Sequence, residues 1–182
     1  CYHLLMTYTL LFIAALLCEI SSSIPMGSMP LALSDQGVSE SLISIVMGAG
    51  MFAGLLVSIP VGIMVDRVSR LKVMRVSAMI CALTLVVMGS VHGVVPAYIE
   101  MAMRSIGLIT FMTAQFAYVS AMFEGDRKVS AVSSMGIVGN LAFATGPAFG
   151  VWLWQSGVCY EQFLYASLLN FVALALVMTL PK

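Results

Sequence analysis

Six long apolar stretches divide this chain of 182 residues, and each is long enough to cross a membrane as a helix. A helix rises about 1.5 Å per residue, so about 20 apolar residues span the hydrocarbon core. The stretches are predicted at residues 4–29, 40–65, 73–91, 96–122, 129–154 and 162–180. None shows the alternation over about ten residues that a membrane β-strand needs. The sequence therefore predicts an all-α membrane protein with six transmembrane helices.

The charge content excludes several other classes of protein. Hydrophobic residues make up 61% of the chain and charged residues only 9%, whereas a soluble domain has about 25% charged residues. A soluble enzyme, a nucleic-acid binder with a basic face and a disordered chain are therefore excluded. The four cysteines form no CxxC pair and no Cys/His cluster, so neither a metal site nor a disulfide framework is expected.

Basic residues predict the orientation of the helices. The loops between segments two and three and between segments four and five are basic, whereas the opposite loops hold no Lys or Arg. The positive-inside rule assigns the basic loops, and with them both ends of this chain, to the cytoplasm. We expect the membrane to be the plasma (inner) membrane. The chain starts at a cysteine and stops as a helix finishes, so we expect it to be part of a longer protein. The basic residues on the cytoplasmic side are Arg67, Arg70, Lys72, Arg75, Arg127, Lys128 and Lys182.

Two charged residues fall deep in the membrane. Glu19 lies roughly 18 Å and Arg104 roughly 12 Å from the outer surface, at about 1.5 Å per residue. A charge at this depth costs at least about 2.5 kcal/mol, so such residues usually have a partner and a function. An ion pair between Glu19 and Arg104 is feasible, either as a permanent link between helices one and four or as part of a titrating site. Glu100, one turn above Arg104, is expected near water.

Helix four presents one polar face. Arg104, Gly107, Phe111, Gln115 and Tyr118 recur at steps of three and four residues. Segments three and six carry no charge in their apolar cores. We therefore predict that helices one and four line a pathway and that helices three and six face lipid. Helix packing through polar side chains is the alternative.

Helices two and five contain similar patterns of glycine and proline. Residues 58–62 read SIPVG and residues 145–150 read TGPAFG. The two helices hold equivalent places when the chain is divided into three plus three, and they run in opposite directions. Inverted repeats with glycine-rich helices are typical of secondary transporters.

The loop after helix two carries a specific motif. Residues 62–72 read GIMVDRVSRLK and resemble the signature G-x-L-x-D-R-x-G-R-K of the major facilitator superfamily. Gly62, Asp66, Arg67 and Arg70 match in position, whereas Ser69 replaces the usual glycine. The resemblance implies the amino-terminal six-helix half of such a transporter, built as a 3+3 inverted-repeat bundle. Asp66 would then face arginines of the absent carboxy-terminal half and help to close a cytoplasmic gate.

Two further features support the resemblance. Arg104 resembles the helix-four arginine of the family, which implies a role in coupling to protons. Gly139, Gly146, Pro147 and Gly150 resemble the helix-five antiporter motif, in which the Gly-Pro pair would bend the helix and let it slide against the other half.

The function implied is secondary active transport of a small molecule by alternating access, with efflux in exchange for protons as the main hypothesis. The proposed pathway comprises Glu19, Arg104, Phe111, Gln115 and Tyr118. The expected partners are a small-molecule substrate, the lipid bilayer and a second six-helix half, with no cofactor, metal or nucleic acid, and with the proton gradient as energy source. An importer or uniporter of a sugar, organic acid or peptide and a non-transporting receptor or scaffold with the same fold remain alternatives. No catalytic residues lie at matched depth, so an enzyme is not expected.

Overall fold

The computed structural model describes the backbone of residues 2–181 and the side chains of residues 3–181. Within this range the chain forms six helices, all long and apolar enough to cross a membrane. The predicted basic residue Lys182 lies outside the described part. The helices are α1 Tyr2–Asp35, α2 Glu40–Arg67, α3 Arg70–Ser90, α4 Val94–Met122, α5 Gly125–Gln155 and α6 Glu161–Thr179.

The largest difference from the predicted boundaries is at the end of α1. The predicted segment stops at residue 29, whereas the helix continues to Asp35 through Pro25 and Pro30. Proline removes one backbone hydrogen bond and usually marks a helix end in soluble proteins. Inside a membrane protein, neighbouring helices stabilise such a position, so proline is a weaker stop signal there.

Each of the six helices has a small set of neighbours. Helix α1 packs mainly against α5 and α6, helix α4 packs mainly against α2 and α3, and α3 contacts α6. The first three helices and the last three therefore make equivalent contacts. The contact of α1 with α5 corresponds to that of α4 with α2, and the contact of α1 with α6 corresponds to that of α4 with α3. The packing therefore agrees with the predicted division into three plus three helices.

The buried apolar side chains form two clusters, one at each end of the bundle. Leu11, Phe111 and Val177 belong to the larger cluster, which joins all six helices towards the end predicted to be cytoplasmic. Met29 and Phe163 belong to the smaller cluster at the opposite end. Helix α2 is the least buried of the six helices. Of its apolar 18-residue stretch 22% is buried inside the bundle, compared with 50% for α3. Large apolar residues of α2 and α5 thus remain on the surface of the bundle.

Polar and aromatic side chains join the three loops at the end predicted to be outer. Trp154 Nε1 donates a hydrogen bond to Asp35 Oδ2 at 3.0 Å, and Gln36 Nε2 donates to Tyr160 Oη at 2.7 Å. The His92 ring lies against the Tyr160 ring, with 3.7 Å between centroids. Tyr160 therefore links the α1–α2, α3–α4 and α5–α6 loops.

Candidate functional site

Glu19 occupies a buried position in the middle of α1, where only 1% of its surface is exposed. Gln115 Nε2 on α4 donates a hydrogen bond to its Oε1 atom. Gly139 on α5 faces the carboxylate, and a Cβ atom there would lie 3.1 Å from Oε2. That oxygen has no hydrogen-bond partner in the described part of the chain. Three helices thus surround a single carboxylate, and Gly139 leaves room for it.

Arg104 has a different partner from the expected one. Its Nε atom lies 2.9 Å from Glu100 Oε1, one helical turn away, and both side chains are buried. Its other nitrogens donate to the Ser22 carbonyl oxygen and, at 3.1 Å, to Met101 Sδ. The predicted pair of Glu19 with Arg104 is not formed. The expectation that Glu100 reaches water is also wrong, since it is 2% exposed.

The spacing in the sequence already contained the signal for this pair. Glu100 and Arg104 are four residues apart on one helix, and residues at this spacing face each other on a helix surface. An arginine can therefore reach a carboxylate four residues earlier on its own helix without any contact from a second helix. The depth of Glu19 allowed an ion pair between helices, but depth alone does not determine which faces of α1 and α4 meet.

The serines after Glu19 hold helices together. Ser23 Oγ donates to the Ala142 carbonyl oxygen on α5 at 2.9 Å. Asn170 Nδ2 on α6 donates to Ser21 Oγ at 2.8 Å and lies 3.4 Å from Ser22 Oγ. These contacts agree with the helix-packing alternative for the serines. Asn170 was missed in the sequence, although an amide in an apolar membrane helix usually has a partner.

The remaining predicted pathway residues of α4 point into the bundle. Phe111 is fully buried in the larger apolar cluster. Gly107 packs against α3, where an added Cβ would lie 2.9 Å from Cys81 Sγ. Tyr118 is partly buried, and its hydroxyl donates to the Pro181 carbonyl oxygen at 2.8 Å. In this conformation the face forms internal contacts, so its pathway role stays a prediction.

A methionine-rich groove opens beside Arg104. It has a volume of about 280 Å³ and lies among α1, α2, α4 and α5. Its wall includes Met26, Met47, Met51 and Phe143. Methionine is flexible and polarisable, so such a surface adapts to apolar molecules of different shape. The groove could not be predicted from the sequence, because its residues come from four separate helices.

The predicted gate loop is short and solvent-facing. Helix α2 ends at Arg67 and α3 begins at Arg70, so two residues connect them. Asp66 and Arg67 are exposed, and Arg70 is half-buried. Among residues 3–181 no ion pair involves Asp66. Gly62 has open space, with no atom within 4 Å of an added Cβ. This arrangement leaves Asp66 available to a partner outside the described helices, and the gate role stays a prediction.

The helix-five motif packs against α1 of the same half. An added Cβ at Gly146 would lie 2.9 Å from Ser23 Cβ, and one at Gly150 would lie 3.2 Å from the Ile24 carbonyl carbon. Pro147 lies directly against Gly27 of α1. In this conformation the motif therefore joins α5 to α1, and the sliding of Gly146 and Pro147 against the other half stays a prediction.

The two glycine-proline segments also differ in packing. An added Cβ at Gly150 would meet α1, whereas one at Gly62 would have no atom within 4 Å, so residues 58–62 and 145–150 share no close contact at their glycines. The glycines of α2 that approach a neighbour closely are Gly50 and Gly54, beside Ser105 of α4. Close approach through small residues thus joins α1 with α5 and α2 with α4.

Among the described residues, no group of three or more His, Cys, Asp or Glu side chains could hold a metal ion. The buried charged groups among these residues are one carboxylate with no cation at ion-pair distance, Glu19, and the Glu100–Arg104 pair.

These features define a multi-pass membrane protein with buried charge in its helices. The chain belongs to the Major Facilitator Superfamily, whose sequence pattern matches residues 11–182. It is similar to the staphylopine export protein of Staphylococcus aureus strain Mu50, with 29% identity over 148 residues. This similarity covers 80% of the chain but only 36% of that protein, so the chain spans much less than the full length of its relative.

Proposed function

We propose that the protein is a secondary active transporter that exports a small molecule in exchange for protons, and that this chain is its amino-terminal six-helix half. Export is suggested by the similarity to a protein named for export. A second six-helix half would cover the apolar surfaces of α2 and α5, which the described bundle leaves exposed. Both ends of the chain would be cytoplasmic, in the plasma membrane.

The main observation that supports proton coupling is the position of Glu19. The carboxylate is buried at membrane depth, and no cation lies within ion-pair distance of it among residues 3–181. Arg104 is already compensated by Glu100. Burying a carboxylate without a counter-charge is costly. A proton is the counter-charge that remains, so Glu19 would carry it across when the two halves rock.

The groove beside Arg104 supports an apolar substrate. Its methionines and Phe143 would contact the substrate from this half, and the second half would complete the site. Arg104 would not bind the substrate directly while it pairs with Glu100. A groove lined mainly by methionines would suit a lipophilic compound, including a lipophilic cation.

The test uses full-length protein in proteoliposomes with an imposed pH gradient. Ethidium, a lipophilic cation, and staphylopine serve as probes. Wild-type protein should move at least one probe against its gradient, and Glu19→Gln should abolish the dependence on pH. Glu161→Gln, which removes an exposed carboxylate, is the matched control. Proton-coupled flux that survives Glu19→Gln would refute the role of Glu19, and no flux of either probe would refute the proposed export.

A further inference from the structure

A basic cavity opens at the end of the bundle that is predicted to be cytoplasmic. It has a volume of about 440 Å³ and lies between the start of α3 and the end of α4. Its cations are Arg70, Lys72 and Arg75. The other lining residues are Ser69, Leu71 and Tyr118. It is separate from the groove beside Arg104. Arg70 also belongs to the gate motif and Tyr118 to the predicted pathway, whereas neither of these predictions includes Lys72 or Arg75.

The cations of this cavity have no acidic partner. Among residues 3–181 the structure contains no ion pair of Arg70, Lys72 or Arg75. The first turn of α3 holds no acidic residue, and the Ser69 side chain does not cap it. The first backbone N–H groups of a helix have no acceptor within the helix, and they add partial positive charge. The cavity therefore combines three full positive charges with a helix N-terminus.

Arg75 is held in place by contacts with α6. One of its terminal nitrogens lies 3.3 Å from the Met178 carbonyl oxygen and 3.5 Å from that of Val177, at the end of α6. Its Nε atom is buried and has no partner in the described part of the chain. The guanidinium is thus fixed at the edge of the cavity by α6 and still lacks an anion.

An apolar groove continues from the basic cavity along α3 and α6. The groove has a volume of about 320 Å³ and shares Arg75 with the cavity. Its other lining residues are Val76, Met79, Ile80, Leu174 and Met178. Helix α3 begins and α6 ends near the cavity, so the groove runs from there towards the middle of the membrane.

We propose that the basic cavity and the groove bind one phospholipid with an anionic headgroup. The phosphate lies among Arg70, Lys72 and Arg75, and an acyl chain lies in the groove between α3 and α6. Basic pockets between helices on the cytoplasmic side suit such headgroups. Inorganic phosphate would satisfy the cavity alone, whereas only a lipid accounts for a basic cavity that continues into an apolar groove.

The test is native mass spectrometry of the full-length protein in detergent with dioleoylphosphatidylglycerol as the probe. Removing one basic residue near the membrane surface costs about 1 kcal/mol, or about fivefold in affinity. Arg70→Gln with Lys72→Gln should therefore weaken binding of the lipid by about 30-fold. Arg127→Gln with Lys128→Gln removes the same charge from the first turn of α5, outside the cavity, and should leave the affinity unchanged.

Two further measurements separate the possible anions. Val76→Phe fills the groove without changing charge, and it should weaken binding of phosphatidylglycerol but not of inorganic phosphate. Inorganic phosphate should compete poorly with the lipid. Equal loss in both double variants, full binding in Val76→Phe, or displacement of the lipid by equimolar phosphate would each overturn the proposal. Lys72→Gln alone, at an exposed position, gives a folded variant if the double substitution is unstable.

Discussion

The buried pair of Glu100 and Arg104 gives a sharp prediction about stability. Glu100→Gln keeps the shape of the side chain but leaves Arg104 without its counter-charge at 2.9 Å. Removing one member of a buried ion pair typically costs about 3–5 kcal/mol. Arg104 keeps its contacts with Ser22 and Met101, so we expect a loss near the lower value, about 3 kcal/mol. Removing both charges, with Arg104→Met added to Glu100→Gln, should recover most of this loss.

The assay is the free energy of unfolding of the full-length protein, measured by denaturant titration in mixed micelles for each variant. A double-mutant cycle then gives the coupling energy of each pair. Residues in direct contact couple by about 0.5–3 kcal/mol, whereas independent sites add within about 0.5 kcal/mol. Glu100 and Arg104 should fall in the first class. Glu19 and Arg104 should fall in the second, because Glu19 bonds to Gln115 instead.

The opposite pattern would refute this reasoning. If Glu19→Gln coupled strongly to Arg104→Met and Glu100→Gln did not, the charge pairing described above would be wrong. A loss below about 0.5 kcal/mol for Glu100→Gln would show that water reaches the pair, as the sequence first suggested for Glu100.

Two further predictions test the packing of α5 and the gate loop. Gly146→Ala should lower the free energy of unfolding by about 1–3 kcal/mol, because its Cβ would press on Ser23 of α1. The control is Gly136→Ala, which lies in open space on the same helix and should not lower it. Equal thermal midpoints for the two variants would contradict the close contact at Gly146. Asp66→Asn should leave the unfolding free energy within about 0.5 kcal/mol of wild type, because the side chain is exposed, while transport in proteoliposomes falls. A large loss of stability in that variant would instead place Asp66 in an internal contact.

The fold was largely predictable from the pattern of apolar residues. The number of helices, their class and the short loops follow from segment length, since each membrane helix must satisfy its own backbone hydrogen bonds. The ends were less certain. Helix α1 continues through Pro25 and Pro30 to Asp35, because contacts with neighbouring helices outweigh the local cost of proline.

The site was only partly predictable. The depth of Glu19 and Arg104 follows from their positions in the helices, and depth marked both as unusual. Their partners depended on how α1, α4 and α5 are rotated about their axes. The same rotation turned Gly146 and Gly150 towards α1, and it placed Phe111 in the apolar core.

By itself the sequence determined that the chain is a six-helix membrane bundle and which charges lie at membrane depth. Through the loop motif it also determined which family the chain resembles. Those properties depend on hydrophobicity and on distance along a helix, which are local. Only the tertiary structure decided that Arg104 pairs with Glu100, that Glu19 has Gln115 and no cation among the described residues, and that three cations converge beside an apolar groove. The physical reason is that contacts between helices depend on which faces meet, and apolar residues surround these helices too evenly to specify that face.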